Sequence, residues 1–422
     1  ATILTPAIPM RIAQPSAGRW RWALAIAVVL AGVLGSAWDD WGYAHFTRSV
    51  SQLRGGDTAA ALDAALKAHR HDPWMPLYAC HAGYLYGVQA AEGDAAALQA
   101  GLEAYQTCLQ TLPAGWIEQL NRAALLWEAG ERVEARIAVE KATADTPLEW
   151  LPWLNRGLWA EQMGDLEDAA YAYGWVLSLR PDLAGSPFWN QGERPALWED
   201  ALAAGETALD YRGESETALA RWRWQVAVAS RQWTPAVDQI EAWLETHPND
   251  AGAMIGMGEA LLGLDRPHEA FMWLERAVSA APASPRAYVA RGEAALALGY
   301  HAEAAHDFRA ALFIEPSPRA YWGLARYEHA TGDTAQSLQT YQHALYVMPI
   351  PHSYDLALYR RTGWSVPLPQ VVQISPYGHG PAALEWGALL EQQGDRATAQ
   401  RVYQAALTSD PFWDEIRSKI AP

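Results

Sequence analysis

Residues 283–316 read ASPRAYVARGEAALALGYHAEAAHDFRAALFIEP, and this stretch decides the fold. Prolines bracket it at 282 and 316, and the same spacing of 33 or 34 residues extends outward. Pro113, Pro147 and Pro181 form one run, and Pro248, Pro282, Pro316 and Pro349 form another. Within the quoted stretch stand Tyr288, Gly292, Gly299, Ala304, Phe308, Ala311 and Leu312. Trp153, Gly157, Gly164, Ala169, Tyr173, Val176 and Leu177 occupy the same offsets in the unit ending at Pro181. Gly387, Gly394, Ala399, Tyr403, Ala406 and Leu407 do so before Pro411. A period near 34 residues is the length of one helix-turn-helix unit.

Each position has a physical reason. The small residue of the first helix and the alanine of the second let two backbones approach. Gly-Asp at 164–165, 332–333 and 394–395 supplies a residue free to take positive φ, then a carboxylate able to cap the next helix. The closing proline cannot continue a helix. The pattern resembles the tetratricopeptide repeat (TPR). That resemblance implies an all-α solenoid, a right-handed superhelix of stacked helix pairs whose general work is protein–protein interaction.

Eight or nine units are expected, those at 42–75 and 217–250 being degenerate, with Ala61, Ala68, Ala236 and Pro248 as their best anchors. The organisation reads as an extended segment 1–18, a transmembrane helix 19–41, repeats 42–183, an irregular insertion 184–216 and repeats 217–350. A non-helical insertion 351–379, a terminal repeat 380–413 and a tail 414–422 follow. The two insertions carry Trp189, Trp198, Tyr359, Arg360, Arg361 and Trp364 as candidate contacts. Insertions in repeat arrays often sit on one face and bind; the plainer reading makes them aromatic joints between sub-stacks.

By repeat register the concave face holds Leu120, Trp127, Leu151, Leu154, Leu158, Ile255, Val289, Trp322 and Arg326. This lining suits a helix or peptide laid in a groove, and equally suits packing against neighbouring repeats.

The run Ala23 to Trp38 is uncharged. Arg11, Arg19 and Arg21 precede it and Asp39 and Asp40 follow. Counting the flanking tryptophans, it is just long enough to span a bilayer, and tryptophan at both ends suits the interfaces. The charge bias predicts a cytoplasmic N-terminus and an extracytoplasmic repeat domain in the cell membrane. Gly35-Ser36-Ala37 fits the alternative, a cleavable signal peptide. Ala23, Ala27, Ala31 and Gly35 form a small-residue stripe suited to packing against another membrane helix.

The net charge is −17, and removing the three N-terminal arginines leaves −20 for the rest. Nucleic acid is therefore disfavoured as a partner. Lysine occurs only at 67, 141 and 419, so the basic clusters by which some TPR cochaperones clamp a terminal carboxylate are not evident. Cys80 and Cys108 lie symmetrically about the turn Gly93-Asp94, which brings them level on antiparallel helices. A disulfide and a pair of small buried side chains are both compatible with that placement.

No phosphate loop, nucleophile elbow or zinc-helix motif is present. The expectation is therefore a non-enzymatic chain with no cofactor and no metal. It would act as a membrane-anchored scaffold for protein partners, an assembly or accessory subunit of a membrane complex. A weaker resemblance, in layout only, is to the C-terminal TPR region of bacterial O-antigen polymerase or ligase-like proteins. That would imply a non-catalytic part in cell-surface polysaccharide synthesis.

Overall fold

The computed structural model describes residues 41–347, 366–374, 379–409 and 411–420, and contains no strand among them. Helix α1 covers 41–54. It is followed by α2 (Thr58–His71), α3 (Pro76–Ala91), α4 (Ala95–Thr111), α5 (Trp116–Glu128), α6 (Arg132–Asp145), α7 (Trp150–Met163) and α8 (Leu166–Leu179). After two 3₁₀ turns, Pro181–Gly185 and Pro187–Asn190, come α9 (Arg194–Tyr211), α10 (Glu216–Ala229), α11 (Trp233–Thr246), α12 (Ala251–Gly263) and α13 (Pro267–Ala280). The array continues with α14 (Pro285–Ala297), α15 (His301–Ile314), α16 (Pro318–Ala330), α17 (Thr334–Val347), α18 (His379–Gln392), α19 (Arg396–Ser409) and α20 (Asp414–Ile420).

Local sequence explains where these helices begin and end. Asp57, Asp94, Asp165, Asp250, Ser284 and Ser317 each cap a helix by accepting a backbone N–H from its first turn. Pro76, Pro267, Pro285 and Pro318 stand in the first turn, where a missing N–H costs nothing. Gly164 ends α7 in the left-handed region at φ 81°, a conformation that costs other residues about 1–2 kcal/mol. Pairs then close by ring-on-backbone packing. A methyl group added at Gly157, Gly292 or Gly387 would overlap the ring of Tyr173, Phe308 or Tyr403, all three rings being fully buried. These are the positions that share one offset in the sequence.

The first interruption departs from expectation. Residues 184–216 are irregular only at their start, because 194–211 form the long helix α9. Gly174 and Gly205 let the α8 and α9 backbones approach so closely that a Cβ at Gly174 would strike Ala204 and the backbone of Ala201 and Gly205. The 3₁₀ segment is a packed joint. Phe188 and Trp189 are buried, and the Trp189 indole donates to the Leu183 carbonyl at 2.7 Å. The joint also holds the far end of the chain. Phe412 meets Phe188 edge-on at 4.9 Å, and Gln191 donates to the Phe412 carbonyl at 2.8 Å. Arg194, paired with Glu161 at 3.3 Å, lies 4.0 Å over the Phe188 ring.

Except for Trp41, the expected span 19–41 and its stripe Ala23, Ala27, Ala31 and Gly35 lie outside the described residues. Among the described residues no helix is long and apolar enough to cross a membrane.

Candidate binding groove

The inner faces of α3, α5 and α7 form an apolar trough, and two asparagines stand in it. Asn121 on α5 and Asn155 on α7 are fully buried and occupy equivalent places in successive repeats. A buried amide must find partners or forfeit its hydration. Both find them in one non-helical segment, residues 366–374. The Asn121 amide donates to the Val366 carbonyl at 2.8 Å and accepts from the Leu368 N–H at 2.8 Å. It donates further to the Tyr105 hydroxyl at 2.9 Å. The Asn155 amide donates to the Val372 carbonyl at 2.9 Å and accepts from the Val372 N–H at 2.8 Å. Its remaining donor reaches the Leu151 carbonyl at 3.0 Å. Residues 366–374 of the second interruption are thus laid along the groove of the first repeats.

The segment fits chemically as well as geometrically. Val366, Leu368, Val371 and Ile374 are buried in the same core as Leu85, Leu120, Leu154 and Leu158. Leu368 sits against Gly87, where any Cβ would overlap its methyl groups. Gln370 donates to the Gly87 carbonyl at 2.9 Å, and the Val371 N–H closes a turn onto the Leu368 carbonyl at 3.0 Å. Pro367 and Pro369 have no N–H, so the segment carries fewer donors that a dry groove would leave unsatisfied.

The expected groove residues therefore divide. Leu120, Leu151, Leu154 and Leu158 are buried in the core that includes the segment, and present no open trough to a partner. Trp127 stacks on Trp159 at 5.2 Å with the Arg132 guanidinium 3.8 Å over its ring. Ile255 and Val289 are buried in later sections of the core. Trp322 and Arg326 meet at Glu385: the indole donates to its carboxylate at 2.7 Å, and Arg326 lies 3.8 Å from it. Of the insertion residues, Trp189 and Trp198 pack ring to ring at 5.5 Å, while Tyr359, Arg360, Arg361 and Trp364 lie outside the described residues. Reasoning from apolar register selected Leu120 and Leu154 but passed over the polar clamps one residue further on.

The later repeats are held on a different principle, by a ladder of ion pairs. Arg286 and Arg319 both contact Glu259 at 2.6 Å, and Arg319 also forks onto Glu293 at 2.8 and 2.6 Å. Burial alone would raise the Glu259 carboxyl, but the two guanidiniums hold it down, at about 2. In the first repeats, burial pushes His81 down to about 3. It is neutral there, with Nε2 2.7 Å from the Ser49 hydroxyl, which itself donates to the Ala61 carbonyl.

Both groups have folded pKa values below their unfolded ones, so both contribute stability that is complete at neutral pH and lost in acid. For His81 the loss runs from 6.5 down to about 3, and for Glu259 from 4.5 down to about 2. His81 alone should remove about 3 kcal/mol by pH 4. Denaturant titrations between pH 7.5 and 4 should show this decline, and His81→Asn should flatten its upper part. Equal stability of the native chain across that range would contradict the assignment.

Cys80 on α3 and Cys108 on α4 are joined by a disulfide, with Cα atoms 5.1 Å apart. Among the described residues no group of three or more His, Cys, Asp or Glu side chains is placed to hold a metal ion.

No curated protein matches the chain. Among solved structures it is similar to a tetratricopeptide repeat protein from Parabacteroides merdae, at 17% identity and a TM-score of 0.34 over 68% of this chain and 99% of the other. It is also similar to MamA from Desulfovibrio magneticus RS-1, at 16% identity and a TM-score of 0.32 over 47% of this chain and 98% of the other. YrrB, described as a TPR protein with an unusual peptide-binding site, shows 19% identity and a TM-score of 0.28 over 53% of this chain and 97% of that one. A tetratricopeptide-repeat family model matches residues 225–285 and 289–348, and the chain carries tetratricopeptide repeats there.

Proposed function

We propose that this chain is a membrane-tethered scaffold that holds protein partners by extended segments laid in the concave face of its repeats. One observation carries the reading: Asn121 and Asn155, buried at equivalent places in successive repeats, each bind the backbone of a non-helical segment by donating and accepting. Groups that read backbone are indifferent to side-chain identity, as suits a binding surface, and the apolar walls add affinity. The tether rests on the uncharged run Ala23 to Trp38 and its basic N-terminal flank. The same charge bias supports an extracytoplasmic repeat domain, in keeping with the disulfide between Cys80 and Cys108. No catalytic role is proposed.

Gentle detergent extraction of native membranes, followed by identification of what co-purifies, tests this reading. A defined set of proteins should travel with the chain. Recovery as a lone monomer from the aqueous fraction would contradict both the scaffold and the tether.

A further inference from the structure

Two features of the occupied groove bear on what else could lie in it. The groove forms paired bonds to four backbone groups of residues 366–372, the Val366 carbonyl, the Leu368 N–H and both groups of Val372. The side chains it receives are aliphatic, at the first, third, sixth and ninth places of the segment 366–374. None of the four groove groups depends on the segment belonging to the same chain. Covalently, the occupant is an insertion between repeats, tied by four residues to the start of α18.

The fit is also incomplete in one polar respect. The side-chain oxygen of Gln370 and that of Gln119 on α5 are buried without a hydrogen-bond partner. A buried acceptor without a partner forfeits its hydration and weakens the fit. A residue at the place of Gln370 that keeps the bond to the Gly87 carbonyl without the unpartnered oxygen would fit the groove better.

We propose that residues 366–374 are an intramolecular stand-in for a partner: the groove of α3, α5 and α7 accepts an extended segment of another protein, aliphatic at positions one, three, six and nine, in competition with the chain's own insertion. This rests on the scaffold reading and adds its regulation. The tethered segment acts at an effective concentration in the millimolar range for a short link. An incoming segment therefore binds only when it is abundant, itself tethered, or better matched. The groove is closed by default and opens to a matched partner.

A labelled peptide of residues 366–374 is the probe. Leu368→Asp in the full chain should expel the insertion by placing a charge against Gly87, while leaving every groove residue intact. The peptide should bind L368D at least about tenfold more tightly than the native chain, and Asn121→Ala with Asn155→Ala in the L368D background should abolish that binding. Equal or absent binding to native and L368D chains, with L368D folded by circular dichroism, would overturn the proposal and leave the insertion a fixed brace. Should L368D fail to fold, the native chain decides. Millimolar peptide should raise amide exchange at Leu368 and Val372 while α5 and α7 stay protected, and unchanged exchange there would overturn it. Failure here with partners still co-purifying removes the competition but spares the scaffold. Peptide binding without co-purifying partners does the reverse.

Discussion

Asn121→Ala lowers the unfolding free energy by about 3–5 kcal/mol, far more than an exposed asparagine does. The side chain is fully buried and makes three hydrogen bonds. Truncation strands the Val366 carbonyl, the Leu368 N–H and the Tyr105 hydroxyl in a buried site. Each orphaned group costs about 1–3 kcal/mol, and partial relaxation brings the sum below simple addition. Asn155→Ala strands both groups of Val372 and has an effect of the same kind. Asn121→Asp separates the two halves of the clamp, because a carboxylate still accepts from Leu368 but no longer donates to Val366. Asn249→Ala, at an exposed turn, is the control and should stay within about 0.5 kcal/mol. Urea titrations of the four variants measure the ranking. Equal stability of Asn121→Ala and Asn249→Ala would show that the segment is not held as described.

Reducing the Cys80–Cys108 disulfide, or replacing both cysteines by alanine, is the other large effect. The bond closes a loop of 28 residues, for which the chain-entropy relation gives about 3–4 kcal/mol of stabilisation. Repeats interact chiefly with their neighbours, so the loss should be concentrated in α3 and α4. Exchange of the α12–α15 amides should hardly change. Because α3 also carries Gly87, against which Leu368 packs, the groove should loosen before the later repeats do. Urea unfolding with and without reductant, followed by exchange mass spectrometry, checks both parts. A uniform loss along the array would contradict the nearest-neighbour picture, and no loss would contradict the bond.

These two effects mark where sequence reading succeeds and where it stops. The prolines, the turn glycines and the pairs Gly157 with Tyr173 and Gly292 with Phe308 are legible because each is a local requirement repeated at a fixed period. Helix α9 was not, since its start is crowded with Pro187, Phe188, Trp189 and Pro195, which read as loop. Its partner face is set by Gly174 of α8, which is not among the pattern positions of its repeat unit. Residues 366–374 have no period at all. Their place is fixed by contacts roughly 200 to 280 residues away along the chain, which no local pattern reports.

Asn121 and Asn155 were nonetheless visible as a spaced pair. Asparagine is a poor helix former, and two of them at repeat spacing inside apolar stripes signal bonds made to something outside the helix. Leu120 and Leu154, on the surface that register selects, share a buried core with residues 366–374. The groove's occupant, a stretch of the same chain, could not be read from the lining alone.

The central claim is that the first repeats hold residues 366–374 in their groove through two asparagine side chains. Amide exchange of the native chain, resolved at Leu368 and Val372, tests it most directly. Both amides should exchange far more slowly than an unstructured peptide of the same sequence, and Asn121→Ala should release Leu368 before Val372. Exchange at the free-peptide rate at both positions would contradict the account.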